Sequence, residues 1–232
     1  MLKAARLIRV RRYRRAARRG VAAAIEHQIV PLPTEIRTVI DVGSHRGQFA
    51  VLALERFPYA RILCFEPLPG PRKTLLSVLE NDRDRVKVLP YAAGVEGRSE
   101  MMHVSRADDS SSLLPIGHRY VTAFPGTEAK DMAPIEAVRL DEVVESVEQP
   151  CLMKVDVQGY ELEVLQGAEG LLPKVGYLLI ECSFTELYVG QALAAQVVAH
   201  LDQCNYQLSG VYGLKRDRAG RCLHADFLFE RG

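Results

Sequence analysis

The chain lacks the cysteine pattern of a disulfide framework or a metal knuckle. Its five cysteines, Cys64, Cys151, Cys182, Cys204 and Cys222, include no CxxC and no paired spacing. Cys64, Cys151 and Cys182 sit in apolar, strand-like runs, so buried free thiols and a reducing, cytoplasmic setting are expected. No apolar run reaches membrane-spanning length, and the N-terminus lacks the apolar core of a signal peptide. Acidic residues are missing from the first twenty positions, which hold nine of the 30 basic residues: Lys3, Arg6, Arg9, Arg11, Arg12, Arg14, Arg15, Arg18 and Arg19. The remaining chain carries 21 basic against 29 acidic residues, so a mildly acidic body bears a strongly basic arm.

At 232 residues, 48% of them apolar, the chain can bury one good α/β core, and two full domains would be cramped. Residues 1–28 read as a helix interrupted only by Gly20, and Pro31 and Pro33 set a boundary near residue 34. The expected division is a basic arm over 1–33 and a domain over 34–232. A solvated helix explains the arm, as does docking on an anionic membrane at its inner, cytoplasmic face. With no aromatic residue but Tyr13 among the arginines, a nucleic-acid platform is not expected.

Beyond residue 34, strand and helix alternate. Strands are expected at 37–42, 61–65, 85–89, 151–157 and 177–182, with helices at 47–57, 70–82, 160–172 and 190–203. This rhythm argues for a parallel sheet covered on both faces. Tyr206–Tyr212 and Leu223–Phe229 read as an antiparallel closing pair. Residues 94–140 break the rhythm: two extended segments flank a polar, Pro/Gly-rich stretch with the size of a lid or substrate loop.

The stretch from Thr38 to Ala50 organises the rest. A β-branched run ends in Asp41, and a turn containing Gly43 and Gly47 opens into an apolar helix. This layout exposes amides to a ligand at the carboxyl end of a strand. A carboxylate just upstream suits a ligand with positive charge or hydroxyl and amine donors better than a phosphate. The missing GxGxxG argues against a dinucleotide pyrophosphate. Glu66 follows 25 residues after Asp41, where such folds place an acid on ribose hydroxyls. The pair indicates a nucleoside cofactor, S-adenosylmethionine rather than NAD.

Taken together, Asp41-Val-Gly-Ser-His-Arg-Gly-Gln-Phe, Phe65-Glu66-Pro67, Ser110-Ser111-Ser112-Leu113, Leu140-Asp141, Lys154-Val-Asp-Val-Gln-Gly-Tyr-Glu161, Val164–Ala168 and Ile180-Glu181 resemble the FkbM family of S-adenosylmethionine-dependent methyltransferases. The resemblance implies the Rossmann-like, seven-stranded class I α/β sandwich, mostly parallel with an antiparallel final strand. It implies methyl transfer to oxygen on a sugar, glycan, lipid or polyketide. Asp41, Gly43, Ser44, His45, Gly47, Glu66, Pro67, Ala92 and Asp156 are then expected around the cofactor, with Tyr91 and Ala93 beside the adenine.

Two mechanisms stay open at this point. Asp156 acts as general base in an environment set by Glu161 and Lys154, or Asp156 and Glu181 hold Mg²⁺ that acidifies the acceptor hydroxyl. Ser110, Ser111 and Tyr160 are candidates for a polar, hydroxylated acceptor. Gln158 departs from the family's usual Glu. That departure motivates a competing reading, a non-catalytic module that holds its ligand without turnover. No Asn/Asp-Pro-Pro-Tyr/Phe motif of nucleic-acid N-methyltransferases follows strand four.

Overall fold

The computed structural model describes residues 10–232. In chain order, β1 (Thr38–Val42), α2 (Gln48–Arg56), β2 (Arg61–Phe65), α3 (Pro69–Val78) and β3 (Val86–Leu89) follow a short α1 (Arg11–Ala17). Next come β4 (Ala92–Ala93), β5 (Arg98–Ser105), α4 (His118–Ala123), β6 (Ala129–Val138) and α5 (Leu140–Val143). The chain closes with β7 (Cys151–Val155), α6 (Glu161–Gln166), β8 (Tyr177–Ser183), α7 (Ala194–Gln203), β9 (Tyr206–Tyr212) and β10 (His224–Arg231).

Seven strands form the main sheet in the order β3-β2-β1-β7-β8-β10-β9. The first five run parallel, and β10 pairs antiparallel with both β8 and β9. This is the expected class I sandwich. Every residue of β1 and β7 is buried, as their near-continuous apolar sequences require for central strands covered on both faces. The order reverses between β1 and β7, so their carboxyl ends open a crevice there. Cys64, Cys151 and Cys182 are buried free thiols.

The segment before residue 34 differs from the expected arm. Lys3, Arg6 and Arg9 lie outside the described residues. From residue 10 on, the continuous helix breaks: it is α-helical over Arg11–Ala17, turns at Gly20 with a left-handed φ of 77°, and resumes only as a 3-10 turn at Ile25–Ile29. Tyr13, Ala16, Val21, Ala23, Ala24 and Ile25 then enter the same core as α2 and α3, so no boundary separates this segment from the body. Arg12 pairs with Glu55 and Asp82, Arg15 with Asp82, and Arg19 with Glu80. These arginines neutralise acids on the body rather than facing away from it. No helix among the described residues is long and apolar enough to cross a membrane.

The 94–140 insert is also more ordered than expected. β5 and β6 pair antiparallel, and β4 joins β6 to make a second, three-stranded sheet. Of the helix expected at 160–172, only Glu161–Gln166 is α-helical, and the rest continues as turns.

Candidate active site

Two cavities meet where β1 and β7 end. The first, of about 570 Å³, is bordered by Gly43, His45, Phe65, Glu66, Pro67, Tyr91, Ala92, Ala93, Ser111, Asp156 and Tyr160. Gly43 has φ 80°, and its amide donates to the Phe65 carbonyl at 3.2 Å. A Cβ there would lie 2.0 Å from the Asp156 carbonyl oxygen, so only glycine lets these two strand ends approach.

Glu66 is 5% exposed. Its Oε2 accepts the His45 amide at 2.9 Å and its Oε1 the Leu68 amide at 2.8 Å. Burial pushes its pKa up to about 7 in spite of those two amides and Arg72. Each carboxylate oxygen keeps a lone pair for a ligand donor. An acid that grips a vicinal diol, with small and flat apolar neighbours, fits an adenosyl group.

Three expected cofactor residues stand elsewhere. Asp41 is not at the mouth: it is wholly buried, and neither carboxylate oxygen has a hydrogen-bond partner. Alternate residues of a strand face opposite ways. Asp41 therefore shares its face with Val39 and points toward the α2 side, beside its register partner Lys154. Burial raises its pKa, and Lys154 opposes that rise. Gly47, left-handed at φ 94°, lies against Leu75 rather than a cavity. Ser44 is buried, donates to the Asp41 carbonyl at 2.7 Å and borders the second cavity. His45 has both ring nitrogens engaged, one with Asp108 at 2.9 Å and one with Gln48 at 3.1 Å.

The second cavity, of about 790 Å³, is walled by Ala24, Glu26, His27, Gln48, Phe49, Ser110, Tyr120 and Lys154. It shares Gly43, His45, Asp109, Asp156 and Gln158 with the first. Asp156 therefore stands at the junction of the two cavities. Its Oδ2 accepts from the Lys154 ammonium at 3.0 Å and its Oδ1 from the Gln158 amide at 2.7 Å. Burial alone would raise the Asp156 pKa, but Lys154 outweighs it and holds the carboxyl below its ordinary value. Lys154 stays charged: Asp156 and Asp41 overcome the burial that would lower it.

Glu161 borders neither cavity. Its Oε1 accepts the amides of Val157 at 3.1 Å and Gly159 at 3.0 Å, so it ties the loop after β7. Burial, with Glu181 nearby, pushes its pKa up to about 8. The Mg²⁺ expectation is not supported. Glu181 accepts from His224 Nδ1 at 2.9 Å and Gln158 at 3.2 Å, so both acids already have donors on both oxygens. Among the described residues no group of three His, Cys, Asp or Glu side chains suits a metal ion.

Gln158 is a hydrogen-bond hub. At φ 59°, its Nε2 donates to Asp156 and Glu181, while its Oε1 accepts from Tyr188 at 2.7 Å and Tyr120 at 3.3 Å. Its carbonyl accepts from Ser112 Oγ at 2.7 Å. The serine run latches the insert onto this hub. Ser111 Oγ accepts the Ser105 amide at 3.1 Å, and Ser110 Oγ meets the Tyr120 hydroxyl at 3.1 Å. Sequence reasoning missed Tyr120, Tyr188, His27 and His224, because each reaches this region from an element remote in sequence.

Residues 41–208 match the model of the methyltransferase FkbM domain. The hexuronic acid methyltransferase AglP of Haloferax volcanii is 33% identical over 147 residues, 61% of this chain and 54% of that protein. This chain thus spans about half the length of that relative. The 2-O-methyltransferase NoeI of Sinorhizobium fredii is 28% identical over 195 residues, 79% of each chain. Among solved structures, TehB from Haemophilus influenzae superposes with a TM-score of 0.50 at 10% identity, over 89% of this chain and 60% of that one. With the match covering the crevice strands and the junction between both cavities, the chain belongs to the FkbM methyltransferase family.

Proposed function

We propose that the protein is an S-adenosylmethionine-dependent O-methyltransferase acting on a hydroxyl of a sugar or sugar-bearing acceptor. The observation that carries this reading is the meeting of two unlike cavities at Asp156 and Gln158. One offers a diol-sized acid among apolar walls, the other a polar chamber. The family implies S-adenosylmethionine, which supplies an electrophilic methyl on a sulfonium. Glu66 would hold its ribose hydroxyls, and Ala92 and Tyr91 would flank the adenine. Asp156, kept ionised by Lys154, suits a cationic donor at the junction. The second cavity, lined by amide, hydroxyl, imidazole and carboxylate groups, suits a polyol. The names of the two relatives, a hexuronic acid methyltransferase and a 2-O-methyltransferase, support the same acceptor class.

Calorimetric titration with S-adenosylhomocysteine tests the donor side, and binding that Glu66→Ala leaves unchanged would sink it. Transfer of labelled methyl from S-adenosylmethionine to p-nitrophenyl hexosides and hexuronosides tests the acceptor side. Labelled cofactor that is bound and never consumed would favour the non-catalytic module instead.

A further inference from the structure

A sugar hydroxyl both donates and accepts hydrogen bonds, whereas a carboxylate only accepts, so the donors a cavity has to spare decide which of the two it holds. The donors around the second cavity are largely spent on the protein itself. Ser44 Oγ donates to the Asp41 carbonyl and the Tyr120 hydroxyl to Gln158 Oε1 at 3.3 Å. The two hydrogens of the Gln158 amide go to Asp156 and Glu181. One ring nitrogen of His45 serves Asp108, and the other takes the Gln48 amide. What remains is weighted toward acceptors: the lone pairs of the Ser110 and Tyr120 hydroxyls and the Asp109 carboxylate.

The charges point the same way. Asp109 and Asp156 border the cavity, and Glu26 lines it too. Among the described residues no arginine lines the wall, and its one lysine, Lys154, donates to Asp156 at 3.0 Å and has Asp41 as its register partner. Asp108 holds His45 at 2.9 Å and Arg46 at 2.6 Å, and Asp226 lies 3.2 Å from His27. Each positive or titratable nitrogen on the wall thus has an acid of its own. Asp109 has no such match: it is exposed and, among the described residues, meets only the Ser110 hydroxyl, at 3.4 Å. A carboxylate entering this chamber gives up water without meeting an uncommitted cation, and a like charge beside it adds to the cost.

We propose that the second cavity selects an uncharged hexoside over a hexuronoside, and that Asp109 sets this choice. The proposal rests on that cavity being the acceptor site. Asp109 borders both cavities, so its charge stands at the junction between donor and acceptor. Its carboxylate accepts a hydrogen bond from a sugar hydroxyl and repels a sugar carboxylate. This preference distinguishes the chain from the relative named for a hexuronic acid.

The test uses the full chain, saturating S-adenosylmethionine and matched p-nitrophenyl hexosides and hexuronosides of the gluco and galacto series. Each pair differs only in a hydroxymethyl group against a carboxylate. Wild type should favour the hexoside by about tenfold or more in kcat/KM, with most of the difference in KM. In Asp109→Asn the ratio of the two kcat/KM values should fall by about threefold, and in Asp109→Lys it should fall further. A merely loosened insert would slow both members of a pair alike and leave that ratio where it was. A hexuronoside used as well as its hexoside, or better, overturns the proposal and leaves the acceptor reading standing. A ratio that neither Asp109 variant moves does the same. Wild-type enzyme that methylates none of the glycosides overturns the acceptor reading, and the proposal with it. If the variants do not fold, salt decides: raising it from about 0.05 to 0.5 M screens the exposed Asp109 and should narrow the wild-type ratio. A ratio indifferent to salt overturns the proposal.

Discussion

The two cavities share Gly43, His45, Asp109, Asp156 and Gln158, yet they are built by different means. The first is made of backbone: a left-handed glycine, a strand end and an acid clasped by two amides. The second is made of side chains drawn from residues 24–27, 48–49, 109–110, 120 and 154–158. Their acids show the contrast. Glu66, met by neutral amides, has a pKa pushed up to about 7, whereas Asp156, met by an ammonium, is held below its ordinary value. Peptide dipoles offset burial only partly, while a buried cation reverses it.

The sharpest way to break this division is to fill the one place where both cavities depend on backbone. Gly43→Ala would set a methyl 2.0 Å from the Asp156 carbonyl at a φ that disfavours alanine. The strand ends must separate, at a cost of about 3 kcal/mol or more. S-adenosylhomocysteine binding should vanish in calorimetry, and thermal melting should fall sharply. Full binding by this variant would mean that the crevice is not backbone-built.

Glu66→Gln acts on the first cavity alone. Losing the charge assistance on its bonds to the ribose should cost about 1.5–3 kcal/mol in all, or roughly 10–150-fold in affinity. The sign with pH is opposite for stability and binding. The folded pKa of about 7 exceeds the ordinary 4.5, so the folded chain binds the extra proton and its stability falls as pH rises between those values. Ribose hydroxyls favour the ionised acid, so wild-type binding should release a proton near pH 6 and strengthen toward pH 7. In Glu66→Gln both slopes should flatten, and because the new amide nitrogen must face one of the two backbone N–H groups, melting at pH 5 should fall below wild type.

The same contrast explains what was legible beforehand. The strand positions and the glycine turn between β1 and α2 follow from local signals: β-branched runs, and two glycines that open an apolar helix. Asp41 was misplaced because strand alternation decides its face, and the turn pattern alone did not reveal that it points toward α2. The basic segment was misread because the acids that meet it, Glu55, Glu80 and Asp82, come from elements after α1. The contacts of Gln158 were not legible because they depend on Tyr120, Tyr188 and Glu181, none within 20 residues of it.

Gln158→Glu sharpens the comparison from the second cavity. It would place a third carboxylate against Asp156 and Glu181, where the amide now donates to both. One acid must then stay protonated near neutrality, with a folded pKa raised above the unfolded value of about 4.3. Its stability contribution is therefore present below pH 4 and lost as pH rises through the raised value. Melting should fall by about 1–3 kcal/mol equivalent at pH 8 and recover at pH 5.5. Binding of S-adenosylhomocysteine should change less than in Glu66→Gln, since the ribose acid is untouched.

The smallest expected effect probes the wall that the family module does not supply. Asp82 accepts Arg12 at 2.9 Å and Arg15 at 2.5 Å, fastening α1 beneath the segment that carries Ala24 to His27. Both arginines are partly solvated, so Asp82→Asn should cost only about 0.5–1 kcal/mol of stability. If the second cavity takes the acceptor, this loosening should raise the acceptor KM and leave S-adenosylhomocysteine affinity at the wild-type value. Equal loss of both would mean that α1 supports the whole crevice, and the two cavities would then share a frame as well as a junction.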